Sequence, residues 1–347
     1  MGWWRISADT LAQARFVLSP LAETIASVQS LVHTTAAHPG EQAWLDAHLP
    51  AYRQRTRDEP IGALIMQAGL RLSWNADFLT PTPTADREHT FDEEVAVVRR
   101  TPPDAARADL EVALNGPLPA ELRRSDLPEH AAELYRWVWE ETVLPYWPAR
   151  RRTLEADVVA RTSQLATKGW AGTIVDLRPQ ARWLGEGRLQ INAYEYPPRD
   201  VDGSTLVFVP VTLRRRWVTW TGTDRYAIIY PCSGALVEPG NAAVPAALGA
   251  LLGPARAAVL VLVETPKSTT QLVALTGQAL GSVGRHLKIL LDAGLVRRRR
   301  SGRSVLYYRA APGDAVVAAA ASGAGGAWPI STPGSTRGRS RSTRSRP

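Results

Sequence analysis

The side chains of this chain best placed to do chemistry are Arg285, Lys288, the run Arg297-Arg298-Arg299-Arg300, and Arg303. The chemistry they suit is recognition of an anion. Four consecutive guanidinium groups repel one another unless an anionic partner is present, and a phosphodiester backbone supplies one. A singly presented arginine such as Arg285 can also bridge O6 and N7 of a guanine. Ser282, His286 and Lys288 surround Arg285 within about one helical turn, so Ser282, Arg285, His286 and Lys288 are the candidates for a groove. Arg297, Arg298, Arg299, Arg300 and Arg303 are the candidates for phosphates.

Such residues need rigid elements beneath them, and the local signals supply these in order. Gly253-Pro254 opens a helix with proline near its first position, where the missing N–H costs nothing. Val259, Leu262 and Val263 give it an apolar face, and Pro266 ends it. Ser268 and Gln271 have the spacing of a capping box, predicting a short helix over Thr269 to Thr276 with Gly277 as its left-handed stop. A third helix is expected from Gly281 to Ala293. At 100° per residue Val283, Leu287, Leu290 and Gly294 fall on one line, with Gly281, Arg285, Lys288 and Asp292 opposite. Leu295 to Arg309 then reads as two strands joined at Arg300-Ser301-Gly302-Arg303, with glycine where positive φ is needed.

Helix, turn, helix and basic hairpin together make a winged helix-turn-helix. The runs SVGRHLKILLDAGLV and RSGRSVLYYR resemble the ArsR/SmtB-type winged-helix repressors, particularly long members that carry a large N-terminal domain. The resemblance covers about 60 residues. It implies double-stranded DNA as partner, a homodimer and repression. Two departures stand out. Where many members have Ser-Gln or Ser-Pro and then Ser-x-His-Leu, this chain has Ala279-Leu280-Gly281 and Gly284-Arg285-His286-Leu287. Metal-sensing members carry a Cys-x-Cys pair or a His and carboxylate cluster beside the motif. Here Thr269 to Ala274 holds no cysteine and nothing after Leu287 is histidine, so a metal site is not expected.

Charge is divided unevenly along the 347 residues. Residues 254–347 hold 15 Lys and Arg against 3 Asp and Glu, whereas residues 1–253 hold 26 against 30, so the basic character belongs to the last third. This is the balance of a nucleic-acid-binding module joined to an ordinary globular domain. Cys232 is the one cysteine, which excludes an intramolecular disulfide and reads as a small buried hydrophobe. No signal peptide and no run of 18 apolar residues is present, so no membrane contact and a cytoplasmic location are expected.

The fold class expected is α+β, with a mainly helical N-terminal region, a small antiparallel sheet and a C-terminal winged helix. Ser7 and Ser19-Pro20 start the first helices, and further helices are expected over 41–54, 91–100, 104–114 and 128–168. Thr173 to Leu177, Leu189 to Tyr194, Leu206 to Leu213, Trp217 to Thr221 and Tyr226 to Tyr230 are rich in β-branched and aromatic residues and read as strands. The divisions that follow are an N-terminal sensor or assembly domain over 1–240, a linker at Glu238-Pro239-Gly240-Asn241, the winged helix over 246–311, and a basic tail over 312–347 that is too poor in large apolar residues to build a core and is expected to be disordered.

Other constellations have plainer explanations. His33 and His38 are five apart and point in different directions on a helix, and the adjacent pairs Glu93-Glu94 and Glu140-Glu141 diverge. No GxSxG, Walker-type or GxGxxG motif occurs, so neither an enzyme nor a cofactor is expected. Trp137, Trp139, Trp147, Trp170, Trp183, Trp217 and Trp220 crowd the middle of the chain and read first as core aromatics. The sharper reading is an aromatic pocket for a hydrophobic small-molecule effector, between the late helices and the sheet.

Overall fold

The computed structural model describes residues 2–37, 39–178, 181–192, 196–232, 244–264, 267–301 and 304–322. Two short strands and a helix open the chain: β1 (Trp3–Arg5), α1 (Ala8–Gln13) and β2 (Arg15–Phe16). Ser7 caps α1 by accepting from the Thr10 amide, and Ser19 caps the next helix by accepting from the Ala22 amide. The helical layer is α2 (Pro20–His33), α3 (Pro39–Asp58), α4 (Pro60–Gly69), α5 (Phe91–Arg99), α6 (Pro103–Leu114) and α7 (Leu127–Val138). A π turn at Trp139–Val143 and a 3-10 turn at Leu144–Tyr146 lead into the long helix α8 (Trp147–Leu177). Gly169, at φ 66° and ψ −178°, breaks α8 into two helical segments.

Six strands follow: β3 (Arg182–Gly185), β4 (Arg188–Gln190), β5 (Arg199–Asp200), β6 (Thr205–Val211), β7 (Trp217–Thr221) and β8 (Arg225–Pro231). They build two mixed sheets, ordered β3-β4-β1-β5 and β2-β6-β8-β7. The antiparallel expectation is corrected here. In the second sheet β2 and β8 both run parallel to β6, and only the edge strand β7 is antiparallel. The cause is burial on both faces. Val207, Val209 and Ile229 join the helical core with Ile25, Met66 and Tyr135. Phe208, Ile228 and Tyr230 join a second core with Trp4, Leu177 and Leu189. A strand covered on both faces reads as a continuous apolar run, as LVFVPV and YAII do. Pro210 is tolerated in β6 because β2 pairs only as far as Phe208, leaving the edge open where the missing N–H would point.

One further strand expectation fails and another is met in part. Thr173 to Leu177, read as a strand, is the last turn of α8, where helix continuation and packing of Ile174 and Leu177 in the second core outweigh β propensity. Of Leu189 to Tyr194, Leu189 and Gln190 lie in β4, the Ile191 amide donates to the Gly2 carbonyl at 2.9 Å, and residues 193 and 194 lie outside the described residues.

The C-terminal unit has its own core, with Leu260, Leu272, Val283, Leu287, Leu290 and Val296 at its centre. Its elements are α9 (Ala246–Leu252), α10 (Pro254–Leu262), β9 (Lys267–Ser268), α11 (Thr269–Thr276), α12 (Leu280–Asp292), β10 (Val296–Ser301), β11 (Ser304–Arg309) and α13 (Ala311–Ser322). Helix α13 corrects the expectation of a structureless tail from residue 312. Val316 and Val317 pack on the core of this unit, and Gly313 lies so close to the Leu295 carbonyl that a side chain would collide with it. The linker residues Glu238 to Asn241, Pro266, and the tail beyond Ser322 lie outside the described residues.

Candidate nucleic-acid interface

Helix α11 starts at the capping box foreseen at Ser268. The Ser268 hydroxyl accepts from the Gln271 backbone amide, and the Gln271 side-chain Oε1 accepts from the Ser268 amide at 2.7 Å. Gly277, at φ 65°, ends α11, and Gly294, at φ 69°, follows α12. Between them α12 is amphipathic. Val283, Leu287 and Leu290 are buried, while Gly281, Gly284, Arg285 and Lys288 are exposed along the opposite side.

The structure separates the groove candidates. Arg285 and Lys288 stand in solvent on the outer face. Ser282 and His286 are half-buried and face each other at 3.4 Å. Burial and the nearby Arg256 and Arg285 charges hold the His286 imidazole below its ordinary value, so it does not add a cation to this face at neutral pH. Gly281 and Gly284 have open space where a Cβ would stand. The outer face of α12 is therefore bare backbone flanked by two cations. The sequence places Gly281 on this outer line and Gly284 beside Arg285 but assigns them no role, though two glycines in a 13-residue helix are a visible signal, because each costs about 1 kcal/mol relative to alanine.

In the wing, Arg297, Arg298, Arg299 and Arg300 are all exposed on β10. Their register opposite Tyr308, Tyr307, Leu306 and Val305 puts Arg297 and Arg299 on one face and Arg298 and Arg300 on the other. None of the described ion pairs involves Arg285, Lys288 or these four arginines. Arg303 lies outside the described residues. A cationic ribbon beside a helix with an uncluttered face can hold phosphates with one element and approach base edges with the other.

The N-terminal half of α8 packs against α11 and β10. The Gln271 Nε2 donates to the Ala156 carbonyl at 3.0 Å, so the residue that caps α11 also ties it to α8. Beside it lies a buried polar cluster. The Tyr230 hydroxyl donates to Asp157 at 3.0 Å, and Arg161 sits 3.5 Å from the same carboxylate. Burial pushes the Lys267 ammonium down to about 8, against the pull of Glu264 and Asp157. Cys232 is buried here, and its thiol is pushed well up by burial and by Asp157 and Glu23. None of these junction residues carries a sequence signal of its role.

Among the described residues no group of three His, Cys, Asp or Glu side chains is placed to hold a metal ion. Nor is any described helix long and apolar enough to cross a membrane. Of the seven tryptophans singled out, Trp139 stacks on Phe91 at 4.8 Å and Trp170 on Phe208 at 5.0 Å as core aromatics, whereas Trp217 and Trp220 line a cavity.

Residues 254–298 match the family model described as bacterial regulatory protein, arsR family. No curated protein and no solved structure matches the chain.

Proposed function

We propose, on the premise that residues 254–298 form an arsR-family helix-turn-helix, that the protein is a cytoplasmic, sequence-specific transcriptional repressor that binds operator DNA as a homodimer. The observation that carries this reading is the outer surface of the C-terminal unit. Gly281, Gly284, Arg285 and Lys288 make one open stripe on α12, next to a hairpin with four exposed arginines outside any described ion pair. In this reading Ser282, Arg285, His286 and Lys288 meet the major groove, and Arg297 to Arg300 with Arg303 hold phosphates. Regulation is independent of metal. The N-terminal region acts as a sensor or assembly domain and not as an enzyme.

Selection from a random duplex library with the intact chain tests the proposal. The expected result is an enriched pseudo-palindrome with half-sites about one helical turn apart, and Arg285→Ala should then cost about 1–3 kcal/mol and relax one position. Binding of all sequences with equal affinity would make the protein a non-specific nucleic-acid binder instead.

A further inference from the structure

The N-terminal region holds a cavity of about 600 Å3, walled by β1, the loop after α4, the end of α8 and the loop between β6 and β7. Its lining is unusual in charge. Six arginines face it against a single carboxylate, Asp77. Arg178, which caps the C-terminal end of α8, is only 7 % exposed. Its Nε donates to the Ile191 carbonyl at 2.8 Å, but its Nη1 is buried without a hydrogen-bond partner. None of the described ion pairs involves Arg178, and its nearest charged influence is a like one, Arg216. Arg215 is held by the Ser30 and Thr35 oxygens at 2.7 to 2.9 Å and feels the pull of the Glu41 carboxylate, so the uncompensated guanidinium of this wall is that of Arg178. A guanidinium taken out of water without a counter-charge is unfavourable, and an anion entering the cavity removes the penalty.

The same wall is aromatic. Trp74 meets Tyr196 at 4.9 Å and Trp220 at 5.6 Å, both edge to face, and Arg199 lies 3.5 Å over the Trp220 ring. Together these groups give a surface for a flat ring beside a surface for an oxyanion. The volume lies within the range of small-molecule sites.

We propose that this cavity binds a small organic oxyanion, a carboxylate or a phosphate, carried on a planar ring. Arg178 holds the anionic group, and the Trp74 and Trp220 wall holds the ring. As the site of a regulatory effector it rests on the reading given above; as a binding site it does not, and it can be titrated without DNA.

The test uses the intact chain with benzoate, indole-3-acetate and adenosine monophosphate as anionic ring probes and benzamidine as a cationic ring of similar size. Tryptophan fluorescence and thermal melting are the readouts. At least one anionic probe is expected to saturate below about 10 mM and to raise Tm, with benzamidine silent. The two carboxylates against the nucleotide tell which oxyanion the site takes. Arg178→Met is expected to weaken that probe at least about tenfold while the ligand-free chain still melts cooperatively, since the loss of the bond to the Ile191 carbonyl is offset by removal of a buried charge without a counter-ion. Three silent anions, equal binding of benzamidine, or an Arg178→Met variant that binds as the native chain does would each overturn the proposal. Loss of operator binding with ligand binding intact would sink the regulatory reading and leave the site standing.

Discussion

The alternation of β10 makes a sharp prediction about the wing. Arg297 and Arg299 share one face and Arg298 and Arg300 the other, so a single phosphate track can be followed by one pair at a time. Each phosphate neutralised adds about 0.9 to the slope of log K against log salt, so removing the contacting pair should flatten the slope by about 1.8. Between about 50 and 200 mM salt that difference amounts to a roughly 12-fold smaller loss of affinity. The assay is fluorescence anisotropy with one operator duplex over that salt range, comparing Arg297→Ala/Arg299→Ala with Arg298→Ala/Arg300→Ala. One double variant should flatten the slope by the full amount and the other by little, with sequence preference unaltered in both. Equal flattening would show that the hairpin is gripped from both faces, and no flattening in either would remove the wing from the interface.

Three further outcomes are expected. Glu23→Ala should destabilise the chain by about 3–5 kcal/mol in denaturant unfolding. It strands Arg150, whose guanidinium is 3 % exposed and now meets the fully buried Glu23 carboxylate at 2.7 Å. Gly284→Ala should raise stability by about 1 kcal/mol, since its Cβ would meet nothing, yet weaken DNA binding if backbone approaches the groove there; unchanged affinity would refute that use of the glycine. Burial, then Asp109, push Asp77 up to about 6 against the pull of Arg199, while burial, then Arg215, hold His33 below its ordinary value. Both groups make the cavity more positive on acidification, so benzoate should bind more tightly as pH falls from about 7 to 5.5, and calorimetry showing the reverse would refute it.

The DNA-binding unit was legible because its signals are local. Ser268 and Gln271 cap across three residues, Gly277 and Gly294 supply positive φ where helices stop, and a 100° step sorts α12 into two faces. The sheet region was legible only as strands. Whether β6 and β8 run parallel depends on what covers each face, and β1 and β2, with three and two residues, carry too little pattern to announce themselves. Thr173 to Leu177 misled because β propensity is a weak prior beside an established helix. Helix α13 was missed for the opposite reason. Its alanine-rich sequence builds no core alone, and its packing depends on Leu295 and the core of a unit already folded. The binding role of Arg178 was invisible, since nothing local says that an arginine at a helix end will be buried away from every described carboxylate.

Helix α8 touches the DNA-binding unit through Ala156 and ends in the cavity wall at Arg178, with the break at Gly169 between them. Both contacts belong to one polypeptide, so their association is first order, and its equilibrium is the same whether a cell holds two copies of the chain or two thousand. Pairing of two chains on an operator, as proposed above, would be second order and depend on abundance. An event in the cavity that altered the seat of α8 against α11 would therefore change the behaviour of each molecule by itself, at any expression level.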